Sequence, residues 1–385
     1  MTAGTIKAAR LMGKYLEVMV LIPSLAHDAL GGFLEMFRYY VFTVIDLFSA
    51  PDSVHGYDFV TGSVGGGTAW LKKSAPPELQ QVLEELEHSL TALGARRIRS
   101  CQAPLKAPDA FYAVGERCVA IESLRFLAHT ACELRGALEL LVPASAHAQV
   151  KAFYDGVVAM VPEMREAMYR RVHKITIRMD DIIDTVVRVK WDCKEMPDRH
   201  NAYVDLVHQR FLELLDGLEQ MRGLGLPDIM RPVIMRGALL HVVEQLVEGY
   251  SQIKQVGENT PLILSSDINV LKDALELLPG MRPLPFFSHV ELFTKGFFLP
   301  PDEHQVIVEW VHQHPFYPSH QCVGLVKAIT SSHDSFSSAA FNMMKGQSGG
   351  IKTEIKLLLA EVTKASHAHV LPSSTMTLDM LVGAR

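Results

Sequence analysis

The chain has 385 residues, which exceeds the usual size of one hydrophobic core, so more than one folded unit is expected. Lys and Arg number 37 against 43 Asp and Glu, and the net charge of -6 lacks the basic excess of proteins that neutralise nucleic-acid phosphates. The 5 cysteines include no C-x-x-C pair, which argues against a disulfide framework or a zinc knuckle. No apolar run reaches the roughly 20 residues of a transmembrane segment.

Apolar residues recur at helical spacing along most of the chain, which predicts an all-α fold of stacked antiparallel bundles that form a rod. The apolar stripe of the first helix consists of Ile6, Leu11, Tyr15, Val18 and Ile22. A Gly-, Ser- and Pro-rich stretch at 49–77 predicts a long, mobile surface loop. Another helix is expected from about Phe111 to Leu141, where Pro143 follows.

A second stripe predicts one long helix from Ile175 to Met196. Its apolar positions alternate steps of four and three, the repeat of a helix buried along a single seam, and they are Ile175, Met179, Ile182, Val186, Val189, Cys193 and Met196. At about 100° per residue Trp191 would lie on the far side of that helix. Trp191 then either packs against a second neighbour or stays partly exposed as an anchor for a partner. Pro197 predicts the end or a kink of the helix, and Asp198 a cap for the next one.

The following helix repeats the seam with Val204, Val207, Phe211, Leu214, Leu218 and Met221. The Gly- and Pro-containing stretch at 222–232 predicts a boundary between two helical units. The expected division is a first bundle at 1–224, a smaller bundle at 225–331, and a flexible tail at 332–385 with one helix in the stretch 351–365.

Three groups of residues invite a catalytic or metal-binding interpretation. "GQSGG" at 346–350 matches the nucleophile pattern G-x-S-x-G, but no strand is predicted before it. His312, His314 and His320 stand near Cys322, but two prolines make this segment a turn, so a metal site is not predicted. The acidic pairs at 84–85 and 180–181 fall on polar helix faces.

From these residues we expect no catalytic activity, no cofactor and no metal. An all-α enzyme with an unrecognised site is the alternative, and it requires a deep pocket lined by titratable groups.

Several short stretches resemble the C-terminal region of the syndetin family, in the same order along the chain. They are "RLMGKYL" at 10–16, "YAVGERCVAIESLRFL" at 112–127, "VKWDCKE" with "HNAYVD" at 189–205, "VEGYSQIK" at 247–254, and "MRPLP" with "KGFFL" at 281–299. The resemblance spans roughly residues 5 to 330, and its collinearity is more specific than any single stretch.

The family comprises the subunit specific to the endosome-associated recycling complex, a relative of the GARP tethering complex. The resemblance implies a non-catalytic, cytoplasmic helical-rod tether that is peripheral on recycling endosomes or trans-Golgi membranes. It would act in endosomal recycling and endosome-to-Golgi vesicle traffic. Its implied partners are the other subunits of the tethering complex, with SNAREs or small GTPases as further partners.

Two surfaces are candidates for such contacts. The first follows the tryptophan segment, and its candidate partner-binding residues are Trp191, Asp192, Lys194, Glu195, His200, Asn201, Tyr203 and Asp205. The second is a basic cluster that could dock on anionic lipids, formed by Arg170, Arg171, Lys174 and Arg178. Docking of a membrane surface through this cluster is the alternative to a function that rests on protein contacts alone.

Overall fold

The computed structural model describes residues 1–48, 69–72, 75–92, 111–177, 179–223, 228, 230–341 and 357–364. Every regular element in these ranges is helical, which confirms the all-α prediction for the described part of the chain. None of the described helices combines the length and the apolarity that a membrane span demands. The chain divides into two compact units, Met1–Ile175 with Leu218–Met230, and Thr176–Gly217 with Arg231–Arg385.

The first unit is built from helices that pack around phenylalanine side chains. The helices are α1 (Ala3–Leu21), α2 (Ala26–Asp46), α3 (Ala69–Lys72), α4 (Pro77–Ala92), α5 (Phe111–Leu141), α6 (His147–Phe153) and α7 (Val161–Thr176). The ring of Phe153 meets Phe33 and Phe37 edge to face, with centroids 6.3 and 5.2 Å apart. Because edge-to-face pairs are favourable beyond their area, these rings fix α6 against α2.

The remaining helices lie in the second unit, except for the end of one and the start of another. They are α8 (Asp180–Arg188), α9 (Ala202–Gly223), α10 (Met230–Ser251), α11 (Thr260–Glu276), α12 (Phe287–Lys295), α13 (His304–Gln313), α14 (Ser319–Phe341) and α15 (357–364). Residues 218–223 at the end of α9 and Met230 at the start of α10 are grouped with the first unit. All six apolar positions predicted for α9 are buried, as expected of an amphipathic helix. A Cβ atom at Gly324 would lie 2.1 Å from the carbonyl oxygen of Ser251, so α14 can approach the end of α10 only with glycine there.

The first helix forms as predicted, but its apolar stripe is not its buried face. The buried residues of α1 are Thr5, Ala8, Met12 and Met19, whereas Ile6, Leu11, Val18 and Ile22 are exposed. The orientation is set by contacts with α2, where the hydroxyls of Thr5 and Tyr40 lie 2.6 Å apart. The Tyr15 ring also packs so closely on Gly32 that a Cβ atom there would come within 2.7 Å of it.

The prediction of one helix from Ile175 to Met196 is wrong. Helix α7 ends at Thr176, α8 runs from Asp180 to Arg188, and residues 189–201 form no helix before α9 begins. The expected core residue Cys193 is only half-buried, and Met196 is exposed. Neither Pro197 nor Asp198 ends or caps a helix, since both lie inside the irregular segment.

The remaining predictions concern residues outside the described ranges, the C-terminal tail and the boundary between the two units. Most of the loop predicted at 49–77 lies outside the described residues, as do "GQSGG" at 346–350 and Arg178. Helix α15 lies inside the stretch 351–365. Residues 176–217 are grouped with the second unit, whereas they were expected in the first. The predicted boundary at 224 stays a prediction.

Candidate partner-binding site around Trp191

The indole of Trp191 is buried although its backbone belongs to an irregular segment. Its side chain is 2% exposed and contacts Tyr203 and Tyr250, with ring centroids 6.3 and 6.4 Å away. The indole Nε1 donates a hydrogen bond of 3.0 Å to the backbone carbonyl of Val186, in the last turn of α8. The same carbonyl accepts the backbone amide of Val189 at 3.3 Å, so the indole adds a second donor at the end of α8. Burial of this large ring and pairing of its N–H explain why the helix stops before Trp191.

The backbone after Trp191 is held by residues at the start of α11. The hydroxyl of Thr260 donates to the Trp191 carbonyl at 2.5 Å and accepts from the Gly257 amide at 2.7 Å. The side-chain amide of Asn259 donates to the Lys194 carbonyl at 2.7 Å. A Cβ atom at Gly257 would lie 3.1 Å from the Cα of Asp192, so the two backbones are in close contact. Residues 191–194 are therefore fixed at several points.

The other end of the segment is held by a buried carboxylate. Asp267 of α11 is 1% exposed, and its Oδ1 accepts from the backbone amide of Asn201 at 3.1 Å. Its Oδ2 accepts from the side-chain amide of Asn201 and from the hydroxyl of Tyr203, both at 2.8 Å. A carboxylate can remain in a protein interior only when donors compensate its desolvation. Asp267 thereby fixes the start of α9.

Two tyrosines extend this network. Burial raises the pKa of Tyr203 far above its usual value, and the neighbouring Tyr250 and Asp267 add to that rise. Burial also raises the pKa of the Tyr250 hydroxyl. Both phenols are therefore protonated at neutral pH. The hydroxyl of Tyr203 donates to Oδ2 of Asp267, so Tyr250 donates to the Tyr203 oxygen at 3.0 Å.

Between these two anchored ends, the segment presents charged side chains to solvent. The exposed residues are Asp192, Lys194, Glu195, Met196, Pro197, Asp198 and Arg199, and we refer to residues 192–199 as the charged segment. Next to it, His200 Nε2 lies 2.9 Å from a carboxylate oxygen of Asp205. The arrangement supplies charges of both signs around one exposed methionine, on a backbone that is held in place.

The residues singled out in the sequence occupy three environments. Trp191, Asn201 and Tyr203 join the buried network, whereas Asp192, Lys194 and Glu195 lie on the charged segment, and His200 pairs with Asp205. Sequence reasoning missed the residues that hold the segment, which are Tyr250, Gly257, Asn259, Thr260 and Asp267. Of these, Asp267 could have been recognised from the sequence, because it occupies a position on the apolar stripe of α11, between Leu264 and Leu271.

The basic cluster on α7 is only partly described. Arg170 forms an ion pair with Glu166, one helical turn away, at 2.5 Å. Arg171 is half-buried and Lys174 is exposed, while Arg178 lies outside the described residues. A lipid-facing role of this cluster stays a prediction.

Comparison with known proteins places these features in a family. The family model described as "Syndetin, C-terminal" matches residues 111–344, more than half of the chain. Syndetin of Gallus gallus is 27% identical over 346 residues, which cover 86% of this chain and 36% of that relative. The syndetins of Rattus norvegicus and Mus musculus are each 27% identical over 346 residues, with 86% of this chain and 35% of the relative covered.

The chain thus spans about a third of the length of the curated relatives that it matches. The matched range contains the charged segment together with the residues that hold both of its ends. Since the family model covers more than half of the sequence, the chain belongs to the syndetin family through its C-terminal domain.

Proposed function

We propose that the chain is a non-catalytic module of a multisubunit tethering complex that acts in endosomal recycling and endosome-to-Golgi vesicle traffic. Its membership of the syndetin family supports this proposal, together with a surface segment suited to binding a protein. The module would work in the cytoplasm, peripheral on recycling endosomes or trans-Golgi membranes. Its partners would be other subunits of the complex, with SNAREs or small GTPases as further binding proteins.

The observation that carries the proposal is the fixation of the charged segment. Ordering a loop on binding costs free energy, and a segment that is already held avoids most of that cost. Here Thr260 and Asn259 hold one end through the backbone, and Asp267 holds the other. A partner would therefore meet a preformed surface.

The chemistry of the charged segment favours a protein over a phosphate-rich partner. Asp192, Glu195 and Asp198 are balanced only in part by two cations, Lys194 and Arg199. Charges of both signs discriminate between partners, whereas a nucleic acid or an anionic bilayer requires an excess of cations. Close to these charges, the 47% exposed side chain of Met196 supplies an apolar contact. Methionine is enriched in protein interfaces, and polar side chains surround such apolar contacts.

Charge reversal on the segment tests the proposal. The full chain carrying Asp192→Arg and Glu195→Arg would be used to capture purified subunits of the tethering complex, with the unmodified chain in parallel. Both side chains are exposed, so the fold should persist. We expect capture to fall at least about tenfold, the equivalent of about 1.4 kcal/mol.

The matched control carries the same two charge reversals elsewhere, as Glu84→Arg with Glu85→Arg on the exposed face of α4. This variant should capture the subunits as well as the unmodified chain does. Equal capture by both variants would exclude the charged segment as the binding surface.

A further inference from the structure

The turn between α1 and α2 exposes a group of large apolar side chains. Val20, Leu21, Ile22 and Leu25 are 58%, 70%, 46% and 43% exposed, and we call these four residues the apolar tip. No charged residue occurs between Val18 and Ala26. Scattered exposed leucines are ordinary, but four such side chains within six residues concentrate apolar surface at one turn, and concentrated apolar surface is typical of a binding site.

The apolar tip belongs to a helix that is already anchored on its other face. The Thr2 amide donates to the Ser123 hydroxyl at 3.0 Å, and Met12 and Met19 are each 1% exposed. These contacts fix the rotation of α1 about its axis. The tip therefore cannot turn inward without breaking the packing of α1 in the first unit.

Three cations share the outer face of α1 with Leu21 of the tip. At about 100° per residue, Lys7, Arg10 and Lys14 fall within a sector of about 60°, and Leu21 lies in the same sector. All three cationic side chains are exposed. Within the part of the chain that the structure describes, no acidic side chain forms an ion pair with any of them. Glu17 is the one acid of α1, so this helix carries an excess of positive charge.

We propose that the apolar tip inserts into the interface of an anionic lipid bilayer, with the three cations of α1 on the lipid headgroups. Seven residues of helix separate Lys14 from Leu21, a rise of about 10 Å. Apolar side chains of peripheral proteins enter the headgroup and acyl boundary by about 5 to 10 Å. Lys14 would then lie among the headgroups when Leu21 reaches the acyl chains, and the long stem of Lys suits this position.

Charge favours a bilayer over a second copy of the chain. A symmetric dimer through this face would bring the cations of one copy close to those of the other, which costs free energy. An anionic bilayer offers the opposite charge, and each nearby cation strengthens the attraction. Asp28 is an exposed acidic residue close to the apolar tip, and its single negative charge offsets only part of the positive charge of α1.

Co-sedimentation of the full chain with vesicles tests the inference. We expect the chain to bind vesicles of phosphatidylcholine with phosphatidylserine, and not vesicles of phosphatidylcholine alone. Neutralising the cations as Lys7→Gln, Arg10→Gln and Lys14→Gln should lower the partition constant roughly 100-fold. Changing the tip as Leu21→Ser with Ile22→Ser should lower it by roughly tenfold or more, because both side chains lose their apolar burial in the lipid.

The controls place equivalent changes on other exposed surfaces. Leu140→Ser with Leu277→Ser removes two leucines that are 89% and 83% exposed, and Arg188→Gln with Lys254→Gln and Lys295→Gln removes three exposed cations. Both control variants should bind the anionic vesicles like the unmodified chain. Absence of binding to these vesicles, or equal losses in test and control variants, would overturn the inference.

A protein occupant of the tip gives a different result. Dimerisation in sedimentation velocity that Leu21→Ser abolishes would assign the tip to a second copy and overturn the bilayer proposal. The charged segment at 192–199 is unchanged in the tip and cation variants, so capture of tethering subunits should persist in them. Loss of vesicle binding is thus separable from failure of the proposed function.

Discussion

The side chain of Thr260 and the backbone carbonyl of Trp191, 69 positions apart in the chain, are joined by a hydrogen bond of 2.5 Å. Both groups are buried, so water does not compete for the bond. The same hydroxyl accepts a hydrogen bond from the Gly257 amide, so one side chain is the hydrogen-bond partner of two backbone groups. The conformation around Trp191 therefore depends on the start of α11 as much as on its own neighbours in sequence.

Replacing Trp191 with alanine should destabilise the second unit. The substitution removes a ring that is 2% exposed and leaves a cavity between Tyr203 and Tyr250, so we expect a loss of about 3 to 5 kcal/mol in the free energy of unfolding. Urea denaturation measures the loss. Met196→Ala in the same segment is the control and should change stability by less than about 0.5 kcal/mol, because Met196 lies on the surface. Similar losses for the two variants would contradict the packing role of Trp191.

Removing the Thr260 hydroxyl without changing the side-chain shape should also be costly. Thr260→Val leaves the Trp191 carbonyl and the Gly257 amide without their partner, and each unsatisfied buried group costs about 1 to 3 kcal/mol. Thr260→Ser keeps the hydroxyl and should retain most of the stability. Thermal unfolding of the three proteins compares them, and a valine variant as stable as the serine variant would show that the bonds contribute little.

Loss of the Asp267 carboxylate should lower the free energy of unfolding more than loss of the Tyr250 hydroxyl. Asp267→Asn places an amide with one acceptor oxygen where three donors converge, and we expect a loss of about 2 to 4 kcal/mol. Tyr250→Phe removes only the hydroxyl at the end of the chain of bonds and should cost about 1 kcal/mol. Urea denaturation gives both values; the reverse order would mean that Asp267 does not organise the network.

Stability should fall as the pH is lowered through the range in which His289 would titrate. Burial lowers the pKa of His289 to about 4, and the rings of Phe316 and Tyr317 lie 5.5 and 4.7 Å from the imidazole. In the unfolded chain His289 binds a proton near pH 6.5, whereas in the folded chain it binds one only near pH 4. The stabilisation is thus fully present above about pH 6.5 and is lost progressively toward pH 4.

The variant His289→Gln isolates this contribution, because glutamine does not titrate. Comparison of thermal unfolding at several pH values should show a weaker decline in stability for the variant between pH 6.5 and pH 4. Parallel declines in the two proteins would mean that other groups cause the pH dependence.

Long, regular amphipathic stretches could be predicted from sequence alone. The stripe of α9, from Val204 to Met221, is buried in full, because a helix of this length must cover its apolar side. In the stripe predicted next, Met179, Ile182 and Val186 are buried. Its continuation through Cys193 and Met196 forms no helix. The spacing of apolar residues indicates which face a helix would bury. It does not show that residues distant in sequence bury the Trp191 ring, and this burial competes with continuation of the helix.

The first helix shows a second limit. Periodicity identified α1, yet its buried side carries Ala8 and Met12, while Leu11 and Val18 are exposed. The candidate site shows a third limit, since Thr260 and Asn259 bind backbone carbonyls, which any residue could provide. Asp267 was the exception, because an acid on an apolar stripe signals a buried polar contact.

The bond between the Asn201 amide and Asp267 has a consequence for deuterium uptake. Asn201 precedes α9 and belongs to no helix, so its position in sequence would suggest fast exchange with solvent. Its amide proton is held by a carboxylate that is 1% exposed, and exchange requires that this contact open first. Slow uptake at this one amide, beside the exposed residues 192–199, would report the free energy of local opening at the junction of the segment with α9.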